Sequence, residues 1–336
     1  MARQRIIPIF VPHLGCPNDC VFCNQRRISG SPLPASGADV TRTLENARAE
    51  YPAGAQLAFY GGSFTAIDPA IQEELLGAAQ PFLRNGTISS IRLSTRPDAI
   101  DETVLRRLKV YGVETVELGA QSMDDRVLYE AGRGHTARET ETAAKLLKAA
   151  GFMLILQMMT GLPGADEASD LETVRKIIAL QPDGVRIYPT VVVENTPLEE
   201  LWRKGAYREH TVEDAVKLCA RILPLFEAAG IPVIRLGLNP TEELSRGGAV
   251  AGAYHPALGE LVQSEILRLR AAELLQNVPE GSFVTLGVSP RRVSAMTGQK
   301  RRNVERLREE FSLGGLNIAA VSGLDEKIIL VDARMD

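Results

Sequence analysis

Three cysteines fall within one short stretch, Cys16-Pro-Asn-Asp-Cys20-Val-Phe-Cys23, and a fourth, Cys219, stands alone. Pro17, Asn18 and Asp19 are turn formers, so the C-x3-C-x2-C loop can bring three soft thiolate ligands onto one centre. A structural zinc ion requires four ligands, and the nearest candidate for the fourth is His13. The same three thiolates can instead hold three irons of a [4Fe–4S] cluster, leaving the fourth iron open to a small molecule. Spacing alone leaves both chemistries open. A disulfide framework is excluded, because it spreads an even set of cysteines along a small secreted chain. Cys219 lies in Asp214-Ala-Val-Lys-Leu-Cys-Ala-Arg-Ile-Leu223, on the apolar face of a helix, and is assigned to the core.

The loop needs a scaffold, and the surrounding sequence supplies one. Strand-like runs occur at Ile6 to Val11, Leu57 to Tyr60, Ile91 to Thr95, Thr115 to Ala120, Phe152 to Met159 and Val185 to Tyr188. Amphipathic stretches such as Asp101 to Tyr111 and Thr136 to Ala150 lie between them. Strands alternating with helices of this length predict a parallel sheet built from βαβ units. Six such units make a partial or full barrel, or an open doubly wound sheet. In a barrel the active site lies at the C-terminal ends of the strands, where Arg96, Glu117, Gln121 and Tyr188 fall.

The cysteine spacing, with Phe22 before the last cysteine, resembles the signature of the radical S-adenosylmethionine (SAM) superfamily. That resemblance implies a partial (β/α)6 barrel, a cluster on Cys16, Cys20 and Cys23, and SAM on the open iron. One electron then cleaves the sulfonium to methionine and a 5′-deoxyadenosyl radical. Gly61-Gly62-Ser63-Phe64-Thr65 follows the second strand, where the family has its glycine pair. Gly61, Gly62 and Ser63 are thereby implied at the methionine part of the cofactor. Arg96 is implied as a carboxylate holder, and Glu117 and Gln121 as partners of the ribose or amino group. For each of these three, a strand-end salt bridge or packing contact is the alternative. Further motifs resemble the radical domain of the catalytic subunit of Elongator, which modifies wobble uridine in tRNA. They are Ser94-Thr-Arg-Pro-Asp98, Glu117-Leu-Gly-Ala-Gln-Ser122, Arg133-Gly-His-Thr136, Gly161-Leu-Pro-Gly164 and Arg186-Ile-Tyr-Pro-Thr190. One departure is Asn24-Gln25 after the third cysteine, where the family has Pro-Gly or similar. The segment following the radical domain is too short for Elongator's acetyltransferase domain, so acetyl transfer is not carried over. For His135, helix capping or loop packing stands beside proton transfer, and Met158 and Met159 are assigned to the core.

After about residue 240 the texture changes. Residues 241–280 read as a linker, with loops at Gly247 to Gly252 and Asn277 to Gly281 around one helix from Pro256 to Leu275. Residues 281–336 then read as β-α-α-β-β. Residues 291–310 hold seven basic and three acidic side chains, although the whole chain carries a net charge of -4. Gly298-Gln-Lys-Arg301 joins the two helices of this segment, and it resembles the Gly-x-x-Gly loop of a KH module that clamps a nucleic-acid backbone. Lys300, Arg301 and Arg302 are therefore candidate phosphate contacts, with Arg301 standing where the second glycine would be.

The chain of 336 residues, 45% apolar and 24% charged, suits two folded domains and excludes disorder as the main state. No apolar run approaches the roughly 18 residues of a membrane span, and the N-terminal stretch is too short for a secretory signal. The expectation is a cytoplasmic radical enzyme: residues 1–240 as the barrel, then the linker, then a small C-terminal KH-like α/β module. Its partners are SAM, an electron donor and RNA, with tRNA as the favoured substrate and no membrane. The alternatives are a radical enzyme acting on a small metabolite such as a porphyrinogen, and a nucleic-acid-binding protein with structural zinc.

Overall fold

The computed structural model describes residues 5–11, 16, 20–24, 35–50, 54–238, 244–325 and 327–335. The chain forms two compact units: Met1–Thr211 with Leu225–Tyr254, and Val212–Pro224 with His255–Asp336.

The first unit is built on seven parallel strands. They are β1 (Ile6–Val11), β2 (Ala55–Gly61), β3 (Ile88–Thr95), β4 (Val113–Gln121), β5 (Met153–Thr160), β6 (Gly184–Pro189) and, after a short β7 (Val191–Val193), β8 (Val233–Leu236). The sheet order is β1-β2-β3-β4-β5-β6-β8, with β1 and β8 as edges, so the sheet is an open, partial barrel. Parallel neighbours require a crossover. Helices supply it: α1 (Gly37–Glu50), α2 (Pro69–Arg84), α3 (Glu102–Val110), α4 (Asp125–Glu130), α5 (Ala137–Ala149), α6 (Glu167–Ala179), α7 (Pro197–Arg203) and α8 (Val212–Ala228). All six expected strands are present, and β8 is a seventh. The expected loop at Gly247 to Gly252 is corrected in part: β9 (Ala249–Gly252) pairs antiparallel with β7. That pairing comes from a strand more than fifty residues upstream, so no local pattern announces it.

Burial explains the sheet. β4 is buried on both faces except for Glu114, as expected of a strand covered by helices. Met158 and Met159 are buried in the core. The helices start where side chains cap them, just past the strand ends. Asp101 accepts from Val104 N ahead of α3, and Asp124 accepts from Arg126 N and Val127 N ahead of α4. Thr136–Glu139 and Asp166–Ser169 form capping boxes on α5 and α6. Each such cap contributes about 1 kcal/mol, and those of Asp101 and Asp124 mark where the loops carrying Arg96 and Gln121 end.

The second unit contains α9 (Leu258–Leu275), β10 (Phe283–Val288), α10 (Val293–Thr297), α11 (Arg302–Glu310), β11 (Gly315–Ala320) and β12 (Ile328–Arg334). Its sheet order is β11-β10-β12, with β10 parallel to β11 and antiparallel to β12. The helix expected in the linker, α9, contributes Leu267, Ala271 and Leu275 to this unit's core, against Leu286, Met296 and Leu307. Cys219, on the part of α8 that belongs to this unit, is fully buried.

Candidate active site

Because the seven strands are parallel, their C-terminal ends share one rim, and the loops leaving that rim carry the candidate residues. Val11, the last residue of β1, pairs with Gly61, and its carbonyl accepts from Gly62 N at 2.8 Å. That bond ties the glycine pair to the strand that feeds the cysteine loop. Gly61 has φ +107°. The next residue, Ser63, is buried, and its hydroxyl lies 3.6 Å from Cys16 Sγ. Cys23 N donates to Cys20 O at 2.9 Å in a tight turn, and Val21 N donates to Ala131 O at the end of α4. Phe22 packs against Val127, Ala131, Met159 and Leu162, anchoring the loop on the rim.

Of the three cysteines of the loop, Cys20 is buried and Cys16 and Cys23 are partly exposed. Among the described residues no group of three ligating side chains is drawn together closely enough to hold a metal ion. Iron–thiolate bonds are what gather such ligands, so a shared loop rather than a closed cage is the arrangement expected of the chain itself. His13, the fourth ligand of the zinc alternative, lies outside the described residues, as do Pro17, Asn18, Asp19 and Gln25.

The remaining candidates separate into two groups. Gln121 ends β4 at φ +62°, and its buried Oε1 accepts no hydrogen bond among the described residues. Glu117, by contrast, is fully buried beneath the rim with both carboxylate oxygens engaged. Oε1 accepts from Tyr60 Oη (3.0 Å), Arg92 Nη1 (2.8 Å) and Arg186 Nη2 (3.0 Å), and Oε2 accepts from Gln157 Nε2 (2.9 Å). Arg96 is likewise occupied: Nε donates to Asp98 at 2.5 Å and Nη2 to Arg133 O at 3.0 Å. The carboxylate that Arg96 holds is thus its neighbour's. For Glu117 and Arg96 the salt-bridge alternative describes the geometry. Tyr188 is partly buried on β6, its phenol pushed up by burial, with the Arg186 guanidinium acting in the opposite sense.

Three residues without an assigned role in the sequence also meet at this rim. Arg133 Nη1 donates to Cys20 Sγ at 3.2 Å. Asp170 is buried, accepts from Gly161 N at 3.0 Å, and is pushed up to about 7 by desolvation. His210 lies against Gly161, where a Cβ would come within 2.2 Å of the ring, and its Nε2 is 3.2 Å from Thr160 Oγ1. Gly161-Leu-Pro-Gly164 pointed to this loop, but nothing local identifies its partners forty-nine residues on. His135 is buried, its Nε2 lies 3.3 Å from Ala120 O, and burial lowers its pKa to about 4.

A parallel partial barrel with a cysteine triplet on its rim defines a class of radical enzyme, and comparison with known families agrees. The Radical SAM superfamily model matches residues 10–177, half the chain, and the Radical_SAM C-terminal domain matches residues 182–268. The chain belongs to the radical SAM superfamily and is a radical SAM enzyme, whose cofactors are a [4Fe–4S] cluster and SAM. Human Elongator complex protein 3 is 36% identical over 138 residues, which span 40% of this chain and 25% of that protein. The tRNA uridine(34) acetyltransferase of Methanocaldococcus jannaschii is 35% identical over 129 residues, 38% of this chain and 24% of that one. The match therefore spans about a quarter of the length of these relatives. An archaeal Methanocaldococcus infernus Elp3 structure has a TM-score of 0.63 at 22% identity, covering 78% of this chain and 62% of that one. The residues fit the cofactors: three cysteine side chains on one loop suit thiolate-bound iron, and the buried Gln121 Oε1, which has no hydrogen-bond partner among the described residues, suits a ligand carrying N–H or O–H donors. Among the described residues, no helix is long and apolar enough to cross a membrane.

Proposed function

We propose that this radical SAM enzyme modifies RNA in the cytoplasm, with tRNA as the substrate, and docks it on the C-terminal KH-like module. The observation that carries this reading is the turn Gly298–Arg301. Lys300 and Arg301 both adopt left-handed backbone, at φ +51° and +63°. Such conformations cost roughly 1–2 kcal/mol per non-glycine residue, and strain of this kind concentrates at functional sites. Both side chains are exposed, and neither makes an ion pair among the described residues. Arg302 reaches Glu213 only at 3.8 Å, in a pair that is solvent-exposed on both sides and readily exchanged for phosphate. Kinship of the radical domain to proteins named for Elongator and for tRNA uridine modification supports the substrate class.

In this reading Cys16, Cys20 and Cys23 hold three irons. When bound, the cluster and SAM supply one-electron reductive cleavage of the sulfonium, with the electron coming from a low-potential donor. Gly61, Gly62 and Ser63 give the methionine portion close backbone approach, and Gln121 Oε1 accepts a hydrogen bond from it or from the ribose. Glu117 and Arg96 act from beneath, holding the strand ends in place.

Changing Lys300, Arg301 and Arg302 together to Ala removes up to three phosphate contacts. The slope of log K against log[salt] for single-stranded tRNA regions should flatten by roughly 2, at about 0.7 per contact. Filter binding from ~50 to ~200 mM salt measures it. Iron content should be unchanged, because the turn belongs to the second unit. Identical slopes and affinities in both proteins would exclude RNA docking here and favour a small-molecule substrate.

A further inference from the structure

Arg133 is a cationic side chain that touches the cysteine loop, and its surroundings hold it there. Nη1 donates to Cys20 Sγ at 3.2 Å, and Nη2 donates to Gly119 O on β4 at 2.7 Å. Its own carbonyl accepts from Arg96 Nη2, and Arg96 is in turn fixed by Asp98. Arg133 N donates to Leu128 O, closing the end of α4. A guanidinium gripped on both sides and aimed at a buried sulfur is matched to negative charge on that sulfur, since a neutral thiol is only a weak acceptor.

Gly119 belongs to the same device. A Cβ at this position would lie 3.3 Å from Arg133 Nη2 and 3.0 Å from Gln121 Nε2. Glycine inside a strand gives up packing, and here its gain is close approach of the guanidinium and the Gln121 amide to the strand.

We propose that Arg133 is a positioning and redox-tuning residue, which hydrogen-bonds the Cys20 thiolate and raises the reduction potential of the cluster. This inference rests on Cys20 being a cluster ligand. The sign follows from charge. Adding one electron makes the cluster and its thiolates more negative, and a fixed cation at hydrogen-bond distance stabilises the more negative state more. In the physiological reaction that electron comes from the low-potential donor, and in the test below it comes from dithionite.

The test uses the anaerobically reconstituted 336-residue chain and a redox titration followed by electron paramagnetic resonance, with Arg133→Gln compared with wild type. The variant keeps a polar donor and loses the charge. It should load iron and sulfide as wild type does, yet hold about tenfold less reduced cluster at a given potential, a midpoint lower by about 59 mV for one electron. Arg133→Lys should recover most of the shift. A wild-type midpoint in a fully loaded Arg133→Gln protein overturns the proposal. If Arg133→Gln fails to load, Gly119→Ala, which keeps the guanidinium but crowds it away from the strand, is titrated instead. A downward shift there supports the proposal, and an unchanged midpoint overturns it. Wild-type protein without iron and acid-labile sulfide removes the underlying assignment of Cys20, a result distinct from a loaded variant with an unshifted midpoint.

Discussion

The Glu117 carboxylate, fully buried, is the charge balance of the barrel interior. Two guanidinium groups, Arg92 and Arg186, face it, together with Tyr60 and Gln157. Removing the charge takes the Glu117 counter-charge from buried Arg92 and partly buried Arg186, and breaking a buried pair in this way costs roughly 3–5 kcal/mol. Glu117→Gln should therefore lower unfolding stability by about 3 kcal/mol in urea titration, with little change in side-chain volume. A loss under about 1 kcal/mol, the range of an exposed pair, would show that the network is not a closed unit. The residue type was legible in the sequence, and its role was not. Arg92, Glu117 and Arg186 sit on β3, β4 and β6, and only the sheet brings them together. Arg133 went unassigned for the same reason: its partner Cys20 is 113 residues away in the chain.

The loop from β5 to α6 illustrates an element held by contacts from outside itself. Asp170, in the first turns of α6, accepts from Gly161 N, while Tyr207 Oη donates to Gly161 O at 2.7 Å and the His210 ring covers the glycine. Gly161 is at φ +69°, so a side chain there meets both backbone strain and the ring. Burial pushes Asp170 up to about 7 from an ordinary 3.8. Its folded pKa thus exceeds its unfolded one, and between about pH 4 and 7 the native state binds the extra proton. The stabilisation this group gives is full below its unfolded pKa and is lost as pH rises through 7. Asp170→Asn keeps an acceptor for Gly161 N and removes the ionisation. Between pH 5 and 8 the urea midpoint of wild type should fall relative to that of the variant by an amount equivalent to a few kcal/mol, a comparison in which the opposite contribution of buried His135 is common to both proteins and cancels. Equal pH dependence in the two proteins would contradict an abnormal Asp170.

At the scale of the whole molecule, the alternation of strands and helices was legible because parallel strands buried on both faces are continuous apolar runs. Met153–Thr160, apolar but for Gln157 and Thr160, is the clearest example. β8 is only four residues long, partly exposed and at an edge, so it carries no such run. β9 exists because β7 pairs with it. The cysteine triplet and the glycine pair were legible as motifs, since metal ligands and close backbone approach constrain residue types locally. The residues that serve them from other strands were not. The central claim is that the first unit is a cluster-bearing enzyme that cleaves SAM reductively. The most direct measurement is chromatography of the products formed when anaerobically reconstituted protein is mixed with dithionite and SAM, with Cys20→Ala in parallel. Wild type should carry about four irons and release 5′-deoxyadenosine and methionine, whereas Cys20→Ala should lose most of its iron and release neither. Wild-type protein that binds no iron, or that binds it and leaves SAM intact, would contradict the account.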